Sequence, residues 1–272
     1  LIVVRWKNTC NLACTYCNEY FSTKWASIKG EKFNQTIKSD YQDIIDYIKH
    51  HKDTVKEVAM VGGEPLMMKE NDQLLDILPD DVLITVITNM TTDFDKMPVP
   101  KKLLKRSRVG WSMSFDYIGD RFEYVRWGSS WQQLDKNVTT VSERMHSSQQ
   151  HGGIQAVYTI YNCTRLCELK QYAEDKNITI TWQHVWGDQL DPHKHNSAIK
   201  ELALAELKRY RDNFDLGPAE ADWAKQQLLQ FENRDDNQSK ELLQFTEDIE
   251  NKWHPDQKGQ FVKLWPELAS VL

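Results

Sequence analysis

Six short runs of apolar and β-branched residues recur along the chain as far as Trp186, with stretches of helical spacing between them. The runs at 1–6, 55–61, 82–88, 109–114, 154–160 and 178–185 are bounded by polar or turn-forming residues and predict strands. Between them, 39–51 predicts a helix: Ser39 and Gln42 have capping-box spacing, and Tyr41, Ile44, Ile45 and Ile48 repeat on one face. Further helices are predicted at about 67–78, 100–106, 129–146 and 163–175. Strand and helix in alternation imply an α/β fold with a parallel sheet and right-handed crossovers. Such a sheet binds its ligands at the carboxyl ends of its strands.

After Trp186 the pattern changes. Residues 187–197 are polar, with Gly187, Asp188, Pro192, His193 and His195, and they mark the expected boundary between a domain at 1–186 and a helical region at 187–272. Ile199, Leu202, Leu207, Tyr210 and Phe214 suggest one helix there. Leu242, Phe245, Ile249 and Trp253, spaced 3, 4 and 4, form an apolar stripe expected to be buried in a cap. His193 and His195 read as part of an exposed loop, with a metal site as the alternative.

Composition narrows the class. Of 272 residues, 40% are hydrophobic and 27% charged, which is the composition of a globular protein. No apolar run is long enough for a membrane helix. A net charge of −6 argues against nucleic acid held by a broad positive field. Leu1–Trp6 reads as a strand and lacks the basic start and longer apolar stretch of a signal peptide.

The five Cys are an odd number, which argues against a closed disulfide framework. Cys10, Cys14 and Cys17 fall together in Cys10-Asn-Leu-Ala-Cys14-Thr-Tyr-Cys17, a spacing suited to a soft metal and to a reducing, cytoplasmic setting. Three thiolates on an iron–sulfur cluster leave one iron open for chemistry. A zinc site completed by a distant His is the alternative.

The Cys-x₃-Cys-x₂-Cys loop follows a first strand and carries Tyr16 just before its last Cys. The second strand runs into Gly62-Gly63-Glu64-Pro65. Together these motifs resemble the radical S-adenosylmethionine (SAM) superfamily, over roughly residues 1–186. The resemblance implies a partial (β/α)6 barrel with a helical C-terminal extension. It also implies one [4Fe–4S] cluster on Cys10, Cys14 and Cys17, with SAM chelating the fourth iron. Cleavage of SAM by one electron then gives a 5′-deoxyadenosyl radical that abstracts hydrogen from a substrate. By the same resemblance Tyr16, Gly62, Gly63, Glu64, Thr88, Asn89, Ser112, Ser114, Asn162 and Val185 are expected around SAM. Glu64 is expected to face the SAM ammonium, and Ser114 and Asp116 resemble a Ser-x-Asp segment. Met90 replaces a Gly that follows Thr-Asn in relatives.

The order of segments, including Arg126-Trp-Gly-Ser-Ser-Trp131, is similar to that of relatives with a twitch or SPASM extension. Here Cys163 and Cys167 are the only further cysteines, two thiols where an auxiliary cluster needs four, so they read as buried structural residues. The implied partners are an electron donor such as flavodoxin or ferredoxin and a substrate that is a peptide or, alternatively, a small metabolite or nucleoside. A non-catalytic metal-binding protein of the same fold is a further alternative. The basic run Lys101, Lys102, Lys105, Arg106 and Arg108 reads as a solvated helix face or as a docking patch for the donor. Arg126, Trp182 and His184 are candidate substrate contacts, although the face shared by Trp182 and His184 equally suits packing against outer helices.

Overall fold

Each strand buries one set of alternate residues and leaves the other more accessible. The computed structural model describes residues 1–31, 41–231 and 237–272. Its strands are β1 (Ile2–Val4), β2 (Glu57–Met60), β3 (Leu83–Thr88), β4 (Val109–Ser114), β5 (His151–Tyr158) and β6 (Thr179–His184). They form one sheet in the order β1-β2-β3-β4-β5-β6, and the first three pairs are parallel. The register aligns Ile2, Val58, Ile84 and Val109 in one row and Val4, Met60, Val86 and Trp111 in the next. All but Ile2 are buried, each contributing about 1.5–3 kcal/mol through lost water contact. Ser112, Ser114 and Ile87 belong to the other, more accessible set.

The helices are α1 (Thr23–Ile28), α2 (Tyr41–His51), α3 (Lys69–Ile77), α4 (Pro98–Lys105), α5 (Gly119–Val125), α6 (Trp131–His146) and α7 (Leu166–Asp175). After them come α8 (Ser197–Asn213), α9 (Pro218–Phe231), α10 (Ser239–Asp248), α11 (Gln260–Leu264) and α12 (Pro266–Ala269). Ser39, expected to cap α2, lies outside the described residues. The short helices α1 and α5 have no counterpart in the hydrophobic pattern. Strand β5 starts at His151, ahead of the expected 154, because Gly152 and Gly153 continue the strand. A Cβ on Gly152 would stand 2.2 Å from the Trp111 carbonyl oxygen, so glycine is what allows β4 and this end of β5 to approach.

The chain packs as two compact units, Leu1–Ser114 with Gly128–Gly153, and Phe115–Trp127 with Ile154–Leu272. In the second, α8 packs on α7 and α9, and α9 packs on β6. Trp182 projects into these helices. Its indole donates to Tyr210 Oη at 3.0 Å and stacks on Trp223 at 4.9 Å, the packing against outer helices that its face of the strand suits. The Glu250 carboxylate accepts from the Tyr124 hydroxyl and from the backbone N–H groups of Gly259 and Phe261, tying the chain after α10 to α5.

Two expectations for this region need correction. The apolar stripe is only half right: Leu242 and Ile249 are buried, whereas Phe245 and Trp253 are half-buried. Within α10 it is Thr246, four residues after Leu242, that faces inward, and in the π-helical turn at Ile249–Trp253 Glu250 is buried as well. His193 and His195 are fully buried and not in an exposed loop. Leu190 and Pro192 carry the segment inward, and the imidazoles bond to Asp191 (2.7 Å) and to the Gln189 carbonyl (3.1 Å). The basic run is largely engaged. Lys102 pairs with Asp72 and Asp76, while Arg106 and Arg108 bond the carbonyls of Leu78, Pro79 and Asp81.

Leu242→Ala therefore costs about 2–5 kcal/mol, and Phe245→Ala markedly less, in denaturant unfolding. Burial also lowers His195 and His254 to about 4 from the usual 6.5. Nearby Asp191 and Glu241 at His195 oppose this, and Lys200 reinforces it. Unfolded chains take up these protons first as the pH falls below 6.5. Stability is therefore fully present above pH 6.5 and declines between about 6.5 and 4. Thermal melts across this range are expected to show a shallower decline for His195→Gln than for the parent.

Candidate active site

The first unit gathers its chemistry at the carboxyl ends of β1 to β4. After β1 the chain enters the cysteine loop, where Cys14 is buried and Cys10, Tyr16 and Cys17 are half-buried. Helix α1 anchors this loop. Ser22 caps the helix by accepting from the Lys24 and Trp25 N–H groups and donates its own hydroxyl to the Leu12 carbonyl at 2.6 Å. The Trp25 indole donates to the Cys14 carbonyl at 2.9 Å, and Thr23 bonds both backbone groups of Cys10. Buried Asn8 donates to the carbonyls of Glu19 and Tyr20. Asn8, Ser22, Thr23 and Trp25 were not singled out from the sequence. Ser22, followed by a short run containing Trp25, is a cap signal that could have located α1.

The loop rests directly on the turn after β2. Gly63 N–H donates to Lys7 O at 3.4 Å, and Glu64 N–H donates to Thr9 O at 2.7 Å. A Cβ on Gly63 would meet Thr9 O at 2.2 Å and Asn8 O at 2.6 Å. Gly62 has φ +138, and a Cβ there would meet Lys7 O at 2.9 Å. The two glycines thus let two backbones touch, one holding the cysteines and the other the Gly-Gly-Glu turn.

Glu64 is fully buried. One carboxylate oxygen accepts from Leu66 N–H (3.0 Å) and the Thr88 hydroxyl (2.8 Å), and the other accepts from Asn89 N–H (2.8 Å). Its carboxylate therefore ties the ends of β2 and β3. Beyond it, Asn89 Nδ2 donates to Asn11 Oδ1 at 2.9 Å and lies 3.9 Å from Cys10 Sγ. Met90 holds φ 60, the conformation that favours glycine, fixed by its N–H on Thr88 Oγ1 and by Asn137 on its carbonyl. Ser112 and Ser114 sit half-buried on β4. Beside Asn11 is a cavity of about 500 Å³ lined by Thr91, Ser129, Ser130, Gln133 and Lys136.

The second unit holds the remaining candidates. Asp116 and Arg126 form a buried ion pair at 3.0 Å, and Asp116 also accepts from Val157 N–H. Asn162 spans the turn after β5, accepting from Thr159 N–H and donating to Val157 O at 2.8 Å. Val185 is half-buried and His184 exposed after the packed part of β6. Cys163 is fully buried, donates to the Ile160 carbonyl and has its pKa raised by burial; burial pushes Cys167 up to about 12.

Among the described residues, no three His, Cys, Asp or Glu side chains converge closely enough to hold a single metal ion. Cys10, Cys14 and Cys17 are presented by one short loop, a donor set suited to a polynuclear cluster in which each thiolate takes its own iron.

Residues 4–154 match the family model of the Radical SAM superfamily. The chain belongs to the radical SAM superfamily. Over 77 residues it is 39% identical to a 7-carboxy-7-deazaguanine synthase of Clostridium acetobutylicum, covering 28% of this chain and 31% of that one. Its fold is similar to that of SuiB from Streptococcus suis bound to precursor peptide SuiA, with TM-score 0.55, 18% identity, and 78% of this chain and 46% of that chain covered. It is also similar to anSMEcpe with bound AdoMet, with TM-score 0.52, 14% identity, and coverage of 77% and 59%. The chain thus spans about a third of the deazaguanine synthase and about half of the two structures. The α/β fold is that of the radical SAM partial barrel. SAM and a [4Fe–4S] cluster are the cofactors of that family. Among the described residues no helix is long and apolar enough to cross a membrane.

Gly63→Ala forces the cysteine loop off its seat. Anaerobically reconstituted Gly63→Ala protein is expected to hold less than half the iron of the parent, measured by colorimetric iron assay on folded protein.

Proposed function

We propose that this radical SAM enzyme holds one [4Fe–4S] cluster on Cys10, Cys14 and Cys17 and abstracts hydrogen from a peptide. The observation carrying the proposal is the presentation of three cysteines by one short loop seated on the Gly62-Gly63-Glu64 turn. When bound, the cluster and SAM supply a one-electron cleavage that delivers a 5′-deoxyadenosyl radical. The chain's own residues position this chemistry. Gly62 and Gly63 set the height of the loop, Glu64 locks the turn to Thr88 and Asn89, and Tyr16 flanks Cys17. Ser112 and Ser114 offer hydroxyls from β4, while Asn162 holds the turn after β5, near which SAM is expected, and Val185 offers an apolar surface.

In this reading residues 1–186 are the catalytic barrel and the helical 187–272 its cap, keeping water from a reactive intermediate. The cell compartment is the reducing cytoplasm, and the electron comes from a flavodoxin or ferredoxin. Peptide as substrate draws support from the peptide-bound SuiB neighbour. The second reading, a small nucleobase-like metabolite, draws support from the 39% identity with the deazaguanine synthase.

Anaerobic reconstitution is expected to give about four iron and four sulfide per chain. Joint replacement of Cys10, Cys14 and Cys17 by Ala abolishes the broad absorption near ~400 nm expected of such clusters, while replacement of Cys163 and Cys167 leaves it. With dithionite and SAM the parent releases 5′-deoxyadenosine slowly without substrate, and a candidate substrate accelerates that release. A colourless protein, or iron retained by the triple variant, contradicts the assignment.

A further inference from the structure

Asn89, Asn11 and Thr91 form a closed ring of side-chain hydrogen bonds next to the first cysteine. Asn11 Nδ2 donates to Thr91 Oγ1 at 2.9 Å, and Thr91 Oγ1 donates to Asn89 Oδ1 at 2.7 Å. Asn89 Nδ2 donates back to Asn11 Oδ1 at 2.9 Å. Thr91 N–H adds a second bond to Asn89 Oδ1 at 2.9 Å, so two donors fix which end of the amide is oxygen. Asn89 is itself buried, and its backbone N–H is held by Glu64. Its Nδ2 carries two hydrogens. One serves Asn11, and Cys10 Sγ lies 3.9 Å from the same nitrogen.

We infer that Asn89 is a positioning residue whose amide directs an N–H toward the Cys10 thiolate and raises the reduction potential of the cluster. The inference rests on the assignment of Cys10, Cys14 and Cys17 as cluster ligands. The physical reason is electrostatic. Reduction adds negative charge to the cluster and its thiolates. A fixed donor on one sulfur stabilises the reduced form more than the oxidised form, which eases entry of the electron. The ring prevents the amide from rotating to offer its oxygen, which would act in the opposite direction. Asn89 thereby links the strand end that Glu64 holds to the electronic properties of the metal, as outer-sphere hydrogen bonds do in other metal sites.

The test is the midpoint potential of the reconstituted cluster, followed by EPR during reductive titration without SAM, in the parent and in Asn89→Ala, Asn89→Asp and Thr91→Val. Potentials are compared per loaded cluster, with iron and sulfide measured on the same samples. Asn89→Ala is expected to move the potential to a more negative value. Asn89→Asp moves it further, since a carboxylate then faces the thiolate. Thr91→Val removes the hydroxyl that donates to Asn89 Oδ1 but keeps the Thr91 backbone N–H on that oxygen, and it moves the potential in the same direction by less. A merely structural role predicts lower iron content with the potential unchanged. Water entering a loosened site would move the potential upward, because water also stabilises the more charged form. Either result overturns the inference. Failure of the parent to form a four-iron cluster would instead refute the ligand assignment.

Discussion

The contact between two backbones at Gly63 governs the arrangement of the site. The cysteine loop must pass within van der Waals limits of the Gly-Gly-Glu turn for Glu64 N–H to reach Thr9 O at 2.7 Å, and any Cβ at position 63 would occupy the space of Asn8 O and Thr9 O. Side chains then fix both partners from outside. Ser22 and Trp25 grip the loop from α1, and the Glu64 carboxylate grips the turn from within. Backbone hydrogen bonds are well suited to this task because they do not depend on rotamers. In the proposed cluster site, three thiols would gain from a frame that side-chain motion does not disturb.

The sequence made the chemistry more legible than the packing. Cys10, Cys14 and Cys17 carry their meaning in covalent spacing, and Gly62-Gly63-Glu64 follows a strand recognisable by its apolar run, so both were readable without tertiary contacts. The role of Glu64 was not. Its partners Thr88 and Asn89 lie 24 and 25 residues away, so the tie that its carboxylate makes between two strand ends is not visible in the local sequence. Arg126 likewise has a partner that the local sequence does not reveal, Asp116, in a buried pair.

Elsewhere local signals were present but weak. Helix α1 is six residues long and shows no amphipathic repeat, so only its Ser22 cap announces it. Gly152 and Gly153 read as breakers, although a strand can require glycine where another backbone approaches. The histidines near residue 193 look solvent-facing by composition, yet apolar Leu190 and Pro192 carry them inside. In α10 Thr246 and not Phe245 faces inward, a choice between neighbouring positions that periodicity alone does not make.

The central claim is that the protein backbone, and not the metal, shapes the cysteine loop. Amide hydrogen exchange on the metal-free protein tests it most directly. The Glu64 N–H, bonded to Thr9 O, is predicted to exchange slowly, with protection comparable to the amides of β2 and β3, before any iron is added. Exchange at the rate of an unstructured peptide, slowing only after cluster assembly, would contradict the account and make the metal the organiser of the loop.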